Sequence, residues 1–313
     1  MEILQKNIDI TNLSNFKTKA KAKYFYELKS EDYVKILPEI FNFAEKNNLK
    51  VLFVGGGTNM LFAFDIFDGI IIKNNLKGWS YDEKTKILET YSDEYISEIA
   101  EILEKNKNQE LWHRFIGLPG TIGGAIFGNA GCFGLETESN LSEVIALNLR
   151  TGQIEKLSKS DCDFSYRNSI FKKTGKYFII KAKFDLSKKV EKYSSDVDNI
   201  DFRQNKQPKG NTCGSFFKNP EIDTQKFLDK YKNLCGESED YVKKISAGFL
   251  LEKSSLKGFR LNTAFFSDLH SNFLMSDGNG SYKDLLDLIK LAQDKVKKDF
   301  GVELEPEVRI IYN

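Results

Sequence analysis

Histidine is nearly absent from this chain, with only His113 and His270 among 313 residues. The four cysteines, at 132, 162, 213 and 235, show no C-x-x-C spacing. Those shortages exclude a zinc site and a disulfide framework, and no metal is expected. Charge of one sign is also missing: 46 basic against 45 acidic residues leave a formal +1. No global field therefore favours nucleic acid or an anionic membrane. No apolar run approaches the roughly 20 residues that span a bilayer. The opening MEILQKNIDI lacks the apolar core of a signal peptide. The expectation is a cytoplasmic, metal-free protein with no nucleic-acid, membrane or obligate protein partner.

Proline is scarce too, and its placement is informative. Of five prolines, three (119, 220 and 306) fall inside the motifs described below, and Pro208 lies just before one of them. That concentration suggests rigid loops around one site. The rest of the composition, 41% hydrophobic and 29% charged, is ordinary for a globular chain long enough for two or three domains.

What is abundant is clustered glycine. Seven glycines lie within Gly117–Gly134, GLPGTIGGAIFGNAGCFG, and three more form Gly55–Gly57, so ten of 22 sit in two short windows. Glycine costs chain entropy and is used where backbone must approach something closely. Neither window precedes a helix-long periodic pattern. A dinucleotide-binding G-x-G-x-x-G fails because Met60 stands at the last position, and no Gly-Lys-Ser/Thr of a P-loop follows either window. A lone GGG also reads as a flexible turn. Paired with the second window, it reads as bare backbone whose N–H groups cradle a large anionic ligand.

The element pattern is α+β without regular alternation, which argues against a doubly wound sheet. Strands are expected at Tyr24–Leu28, Val51–Val54, Gly69–Lys73, Ile87–Tyr91, Glu143–Leu149 and Gln153–Leu157, the last two joined by a Thr151-Gly152 turn. Further strands are expected at Tyr177–Leu186, with alternating character, and Glu303–Tyr312. Helices are expected at Asp32–Asn47, capped by Ser30 and interrupted near Pro38, and at Asp93–Asn106, Thr224–Lys232, Tyr241–Lys253 and Ser281–Phe300. The last carries an apolar stripe with Ser281 as cap and Asp284 three residues on, a capping-box spacing. Residues 187–202 are polar and charged and read as an exposed boundary.

Three segments carry candidate chemistry. In Phe164–Lys172 aromatics surround Arg167, which is either a solvated strand-end cation or a fork held by rings and aimed at a carboxylate. In Cys213–Pro220, CGSFFKNP, Gly214 frees the backbone and two phenylalanines are expected to bury the turn. Ser215 would then be a hydroxyl in a water-poor setting, able to donate a proton, unless it serves only the local turn. In Leu304–Arg309, LEPEVR, Glu305 and Glu307 flank Pro306 at a spacing that places both on one face of a strand. They read as a charged edge, or as a buried acid with raised proton affinity.

In order, the blocks GGGTNMLF, GLPGTIGGAIFGNAGCFG, YRNSIFK, CGSFFKNP, SAGFLLEKSSLKGFR, HSNFL and LEPEVR resemble those of the UDP-N-acetylenolpyruvoylglucosamine reductases, the MurB family. The likeness runs from about residue 20 onwards. It implies an FAD-binding fold shared with vanillyl-alcohol oxidase relatives, with subdomains 1–73 (completed by 301–313) and 74–190 holding the flavin and 200–300 binding substrate. It implies noncovalent FAD reduced by NADPH, and hydride transfer from flavin N5 to the enolpyruvyl double bond of a nucleotide sugar in peptidoglycan precursor synthesis. Carried to matching positions, Ser215 resembles the proton donor. Arg167 and Glu307 resemble the pair that stabilises charge on the substrate carboxylate. The implied FAD contacts are Gly55, Gly56, Gly57, Thr58, Asn59, Met60, Gly117, Pro119, Gly120, Thr121, Gly123, Gly124, Asn129, Gly131 and Gly134. Arg203, Lys206 and Asn219 resemble substrate contacts. Ile and Phe residues around 122–127 would line an apolar slot for the flavin ring.

The chain departs from the family pattern at three places. Asn15–Ala20 lacks a glycine pair, Phe133 stands where tyrosine is usual, and Ser276–Gly280 replaces an Asn-containing turn. The short 167–203 connection resembles the subtype without an extra tyrosine loop. Two rival readings are another flavin enzyme of the same fold, separable by its reaction with oxygen, and a silent nucleotide-sugar binder. The second would have lost Arg167, Ser215 or Glu307, and all three are present.

Overall fold

The apolar run after Lys50 is a strand, Lys50–Val54, and in the computed structural model it pairs in parallel with Ile66–Asn74. Leu52 and Val54 are buried on one face and Val51 and Phe53 half-buried on the other, which fits the unbroken Val-Leu-Phe-Val sequence. These two strands join Gln5–Asp9 and Lys21–Leu28 in one four-stranded sheet. The structure describes residues 1–187, 200–201, 203, 205, 207–231 and 245–313.

The chain divides into two compact units. The first comprises residues 1–8, 22–57 and 67–205 and contains the sheet just described. It also contains a five-stranded antiparallel sheet in the order Ile154–Ser158, Leu141–Asn148, Tyr177–Asp185, Ile87–Tyr91 and Trp79–Asp82. Strand Tyr177–Asp185 alternates only in its second half. Its first half, Phe178–Ile180, is buried throughout and feeds two cores, one around Leu37, Ile40 and Ile72 and one around Trp112, Phe115 and Ile126.

Within the expected helix after Ser30, residues 31–36 form a 3₁₀ stretch and the α-helix proper is Leu37–Lys46. Pro38 lies in its first turn, where a missing N–H costs nothing. The Ser30 hydroxyl makes no capping bond.

The second unit comprises residues 9–21, 58–66 and 206–313. Its antiparallel sheet has the order Asn211–Ser215, Phe273–Ser276, Ala264–Phe266 and Arg260–Leu261. The 19-residue helix Tyr282–Phe300 lays Leu285, Leu288, Ile289, Ala292 and Val296 onto the core that also holds Phe216 and Phe217. Ser281 caps this helix, but Asp284 does not close a capping box. Its carboxylate is taken by the Thr263 hydroxyl and the Asn262 amide.

The expected strand Glu303–Tyr312 is shorter. Only Arg309–Ile311 is regular, paired in parallel with Met60–Phe62, because Pro306 and a bend at 307–308 interrupt the extended backbone. Of the expected helix Tyr241–Lys253, the described part is Ala247–Lys253, capped by Ser246. The boundary at 187–202 lies almost wholly outside the described residues.

Candidate active site

Glycines 55–57 leave the end of strand Lys50–Val54 in the first unit, where they meet the second glycine window. A Cβ on Gly55 would stand 2.8 Å from the Thr121 Oγ1 and 3.5 Å from an Asp93 oxygen. The second window is itself partly helical: Ile122–Gly128, with the Thr121 hydroxyl accepting the Gly124 N–H. Helix-interior glycine costs about 1 kcal/mol against alanine. It is retained here because a Cβ on Gly123 would come within 2.9 Å of Ser92. Of the residues around 122–127 expected to line an apolar slot, Phe127 is half-exposed. Ile122 and Ile126 are fully buried in the core, since the helix turns its apolar stripe inward.

The backbone nevertheless fits a phosphate-bearing ligand. The N–H groups of Gly56 and Gly120 donate to no acceptor among the described residues, and both lie at the half-exposed surface. No atom lies within 4 Å of the Cβ position of Gly128. Beside Gly55, Asp93 is almost completely buried and contacts Lys73 at 3.2 Å and Lys77 at 3.6 Å. Burial pushes the Asp93 carboxyl above the ordinary range, with both lysines pulling the other way. The sequence pattern offered no signal for this cluster.

The window continues through Asn129, which is fully buried in the left-handed region at φ 42°. Its carboxamide donates to the Ser165 carbonyl at 3.2 Å and accepts the Glu138 N–H at 3.2 Å. Arg167 sits at φ 54° in a tight turn closed by reciprocal backbone bonds between Ser165 and Asn168. Its guanidinium donates to the carbonyls of Asn129 (3.3 Å) and Gly131 (2.9 Å) and lies 4.9 Å from the Tyr166 ring. Arg167 is therefore no solvated strand end: the glycine backbone holds it.

Next to it, Gly131–Cys132 and Leu135–Glu136 form a hairpin around Phe133 and Gly134, both at positive φ. Arg203 stacks its guanidinium 5.0 Å from the Phe133 ring and donates to the Ile116 carbonyl beside Gly117. Arg114, Arg167 and Arg203 all act electrostatically on Cys132, whose thiol is pushed up by burial against their pull.

The other candidate residues lie in the second unit. Ser215 ends its strand after an irregularity in register, with Gly214 at φ 79°. That turn sends Phe216 and Phe217 into the core and leaves Ser215 outside. Its hydroxyl is thus exposed, where a water-poor setting was expected, and it makes no hydrogen bond among the described residues.

Alongside runs the LEPEVR segment. The Glu307 N–H donates to the Phe216 carbonyl at 2.8 Å, and the Lys218 N–H to the Glu305 carbonyl at 2.9 Å. Glu305 is exposed and paired with Lys218, while Glu307 is half-buried, so the strand-parity argument for a common face does not hold across the bend. Asn59 joins the same network. Its carboxamide donates to the Glu307 carbonyl at 3.4 Å, and its own carbonyl accepts the Arg309 N–H at 3.1 Å. Asn219 lends its carboxamide oxygen to the Ala247 N–H, which supports the helix start. Lys206 lies outside the described residues.

The candidates therefore form two sets: the 55–57 and 117–134 glycines with Arg167 and Arg203, and Asn59 with Ser215 and Glu307. Among the described residues no cluster of His, Cys, Asp and Glu is arranged for a metal, and no helix is long and apolar enough to cross a membrane.

Comparison with known proteins supplies the chemical context. Residues 24–158 match a family profile described as FAD binding domain, and residues 206–311 one described as UDP-N-acetylenolpyruvoylglucosamine reductase, C-terminal domain. A UDP-N-acetylenolpyruvoylglucosamine reductase of Aquifex aeolicus is 32% identical over 311 residues, covering 98% of this chain and 94% of that protein. One of Clostridium novyi is 32% identical over 315 residues, covering 99% and 92%. The crystal structure of the reductase (MurB) from Thermus caldophilus superposes with a TM-score of 0.71 at 19% identity, over 99% of this chain and all of that one. The α+β, FAD-binding fold read from the sequence is the fold observed.

Proposed function

The chain belongs to the UDP-N-acetylenolpyruvoylglucosamine reductase family, and from that we propose that Arg167, Ser215 and Glu307 carry the reduction of a UDP-sugar enolpyruvyl ether to its lactyl ether. The protein is an FAD-dependent oxidoreductase with NADPH as reductant. Bound FAD supplies the hydride that the side chains cannot.

Hydride reaching the terminal methylene carbon pushes an electron pair onto the carbon beside the carboxylate. That charge spreads into the carboxylate, where a preorganised cation gains strength in the transition state. Arg167 is suited to this because two backbone carbonyls and Glu136 fix its fork in advance. The Ser215 hydroxyl donates the proton that completes the new C–H bond, and exposure is what lets it touch substrate. Glu307 steadies the developing enol form. Arg203, Lys206 and Asn219 bind the nucleotide and sugar, and the two glycine windows hold the flavin. The cytoplasm is the compartment that goes with these substrates.

The observation that carries the reading is the Glu307 N–H bond to Phe216, which ties the acid to the residue after the proton donor. The test is a half-reaction experiment. Purified protein should show a noncovalent flavin spectrum, and NADPH-reduced protein should be reoxidised by the UDP-enolpyruvyl sugar. Ser215→Ala should leave reduction by NADPH intact and cripple reoxidation. Equal loss in both halves would remove Ser215 from the donor role, and fast reoxidation by oxygen alone would favour an oxidase.

A further inference from the structure

The block HSNFL contains a buried polar residue that the chemistry above leaves without a role. Asn272 is 3% exposed. Its Nδ2 donates to the Phe217 carbonyl at 2.9 Å, and its Oδ1 accepts the Phe217 N–H at 3.0 Å. Its own carbonyl accepts the Phe216 N–H at 2.7 Å. The side chain thus reads both polar groups of one peptide residue, as a neighbouring strand would. A carboxamide offers a donor and an acceptor side by side for this without needing a proton from solvent.

The three bonds satisfy the two residues that follow Ser215 at the point where strand pairing has slipped. On the far side, Phe216 and Phe217 are the docking edge for the Glu307 segment. The Phe216 carbonyl takes the Glu307 N–H, and Phe217 bridges Pro306. Asn59 then holds the Glu307 carbonyl. Asn272 therefore stands behind one continuous backbone relay that reaches both candidate catalytic residues of this unit while touching neither.

We propose that Asn272 is a positioning residue: through the Phe216–Phe217 backbone it sets the register between the Ser215 hydroxyl and the Glu307 carboxyl. This rests on the reductase reading for its catalytic consequence, but its structural content stands apart. In Asn272→Asp the carboxylate still accepts the Phe217 N–H but faces the Phe217 carbonyl with a lone pair in place of a donor. A buried acceptor left opposing an acceptor loses its full compensation. Asn272→Leu, which removes both side-chain bonds at similar size without burying a charge, is the second variant.

Two measurements on the flavin-loaded protein test this. Hydrogen exchange should quicken about tenfold or more at the Glu307 amide of Asn272→Asp and Asn272→Leu, and at the Phe217 amide of Asn272→Leu, whose side chain cannot accept it. Exchange in helix Tyr282–Phe300 should stay unchanged. In stopped flow, reoxidation by the UDP-enolpyruvyl sugar should slow by about tenfold or more while reduction by NADPH stays within about twofold. In a Ser215→Ala background the added effect should largely vanish, because the two act as a unit. Unchanged Glu307 protection would overturn the proposal, as would equal slowing of both half-reactions or full additivity with Ser215→Ala. If wild type is not reoxidised by that sugar, the reductase reading falls while the exchange experiment still decides the clamp.

Discussion

Gly55 and Thr121 approach so closely that the Thr121 hydroxyl oxygen occupies the contact distance of any side chain at position 55, at 2.8 Å from an added Cβ. The two glycine windows are thus one packed object in the first unit. The strand end and the capped helix start cannot be repositioned independently.

That contact predicts the outcome of Gly55→Ala. The methyl group must push the Thr121 cap away, disturbing both the helix start and the neighbouring Gly56 amide. FAD affinity of the apoprotein should fall by about tenfold or more, from a cost of 1–2 kcal/mol at an overpacked site. Thr121→Ala alone should cost about 1 kcal/mol of stability through the lost cap. The double variant should lose less than the sum of the singles, because the clash is gone. Flavin titration and thermal unfolding of the apoprotein measure both effects, and strict additivity would show that the contact is not the cause.

Arg167 is a second case in which backbone and side chain make separable contributions. Its φ of 54° favours glycine, while its guanidinium spans two carbonyls. Arg167→Gly should therefore fold with little loss of stability, since relief of about 1 kcal/mol of left-handed strain offsets lost hydrogen bonds. Arg167→Lys retains charge but not the fork. Both variants should reduce normally with NADPH and reoxidise slowly on the enolpyruvyl substrate, by about a hundredfold or more for the glycine variant. Rapid reoxidation of either would remove Arg167 from the site.

Stability should also depend on pH through His270. Burial holds its imidazole below the ordinary 6.5, with Lys257 acting in the same direction and Glu252 opposing. Its Nδ1 accepts the Asn272 N–H at 3.2 Å, a bond that requires the unprotonated nitrogen. The folded state then binds a proton less readily than the unfolded chain. The contribution is present above 6.5, drains as pH falls through the window below it, and is fully lost once the folded-state value is passed. His270→Gln should flatten the fall of melting temperature that wild type shows as pH drops below 6.5. A parallel pair of curves would assign the dependence to other groups.

The sequence was legible where one residue type answers to one local demand. The unbroken apolar run 51–54, the apolar stripe of 285–296 and the Thr151-Gly152 turn each matched the structure. It was less legible where a tertiary neighbour set the outcome. No helix was expected at 122–128, where three of seven residues are glycine, yet Ser92 crowding Gly123 and the Thr121 cap make the helical turn the conformation that fits. Ser215 was expected to be shielded by its phenylalanines, but they take the core and turn the serine outward. Asn272 and Phe217 are 55 positions apart, so no local pattern could pair them. The candidate site was readable as residue types and order, and its supporting hydrogen bonds were not.

The bond from Asn59 to Glu307 spans 248 positions. It has a consequence for synthesis as well as chemistry. Residues 58–62 leave the ribosome long before their strand partner Arg309–Ile311 and wait unpaired until it emerges. Such a distant closure is slow, since the loop entropy is lost before the contact repays it. A nascent chain stalled before residue 307 would carry both glycine windows and the serine without the acid, so competence waits on residue 307.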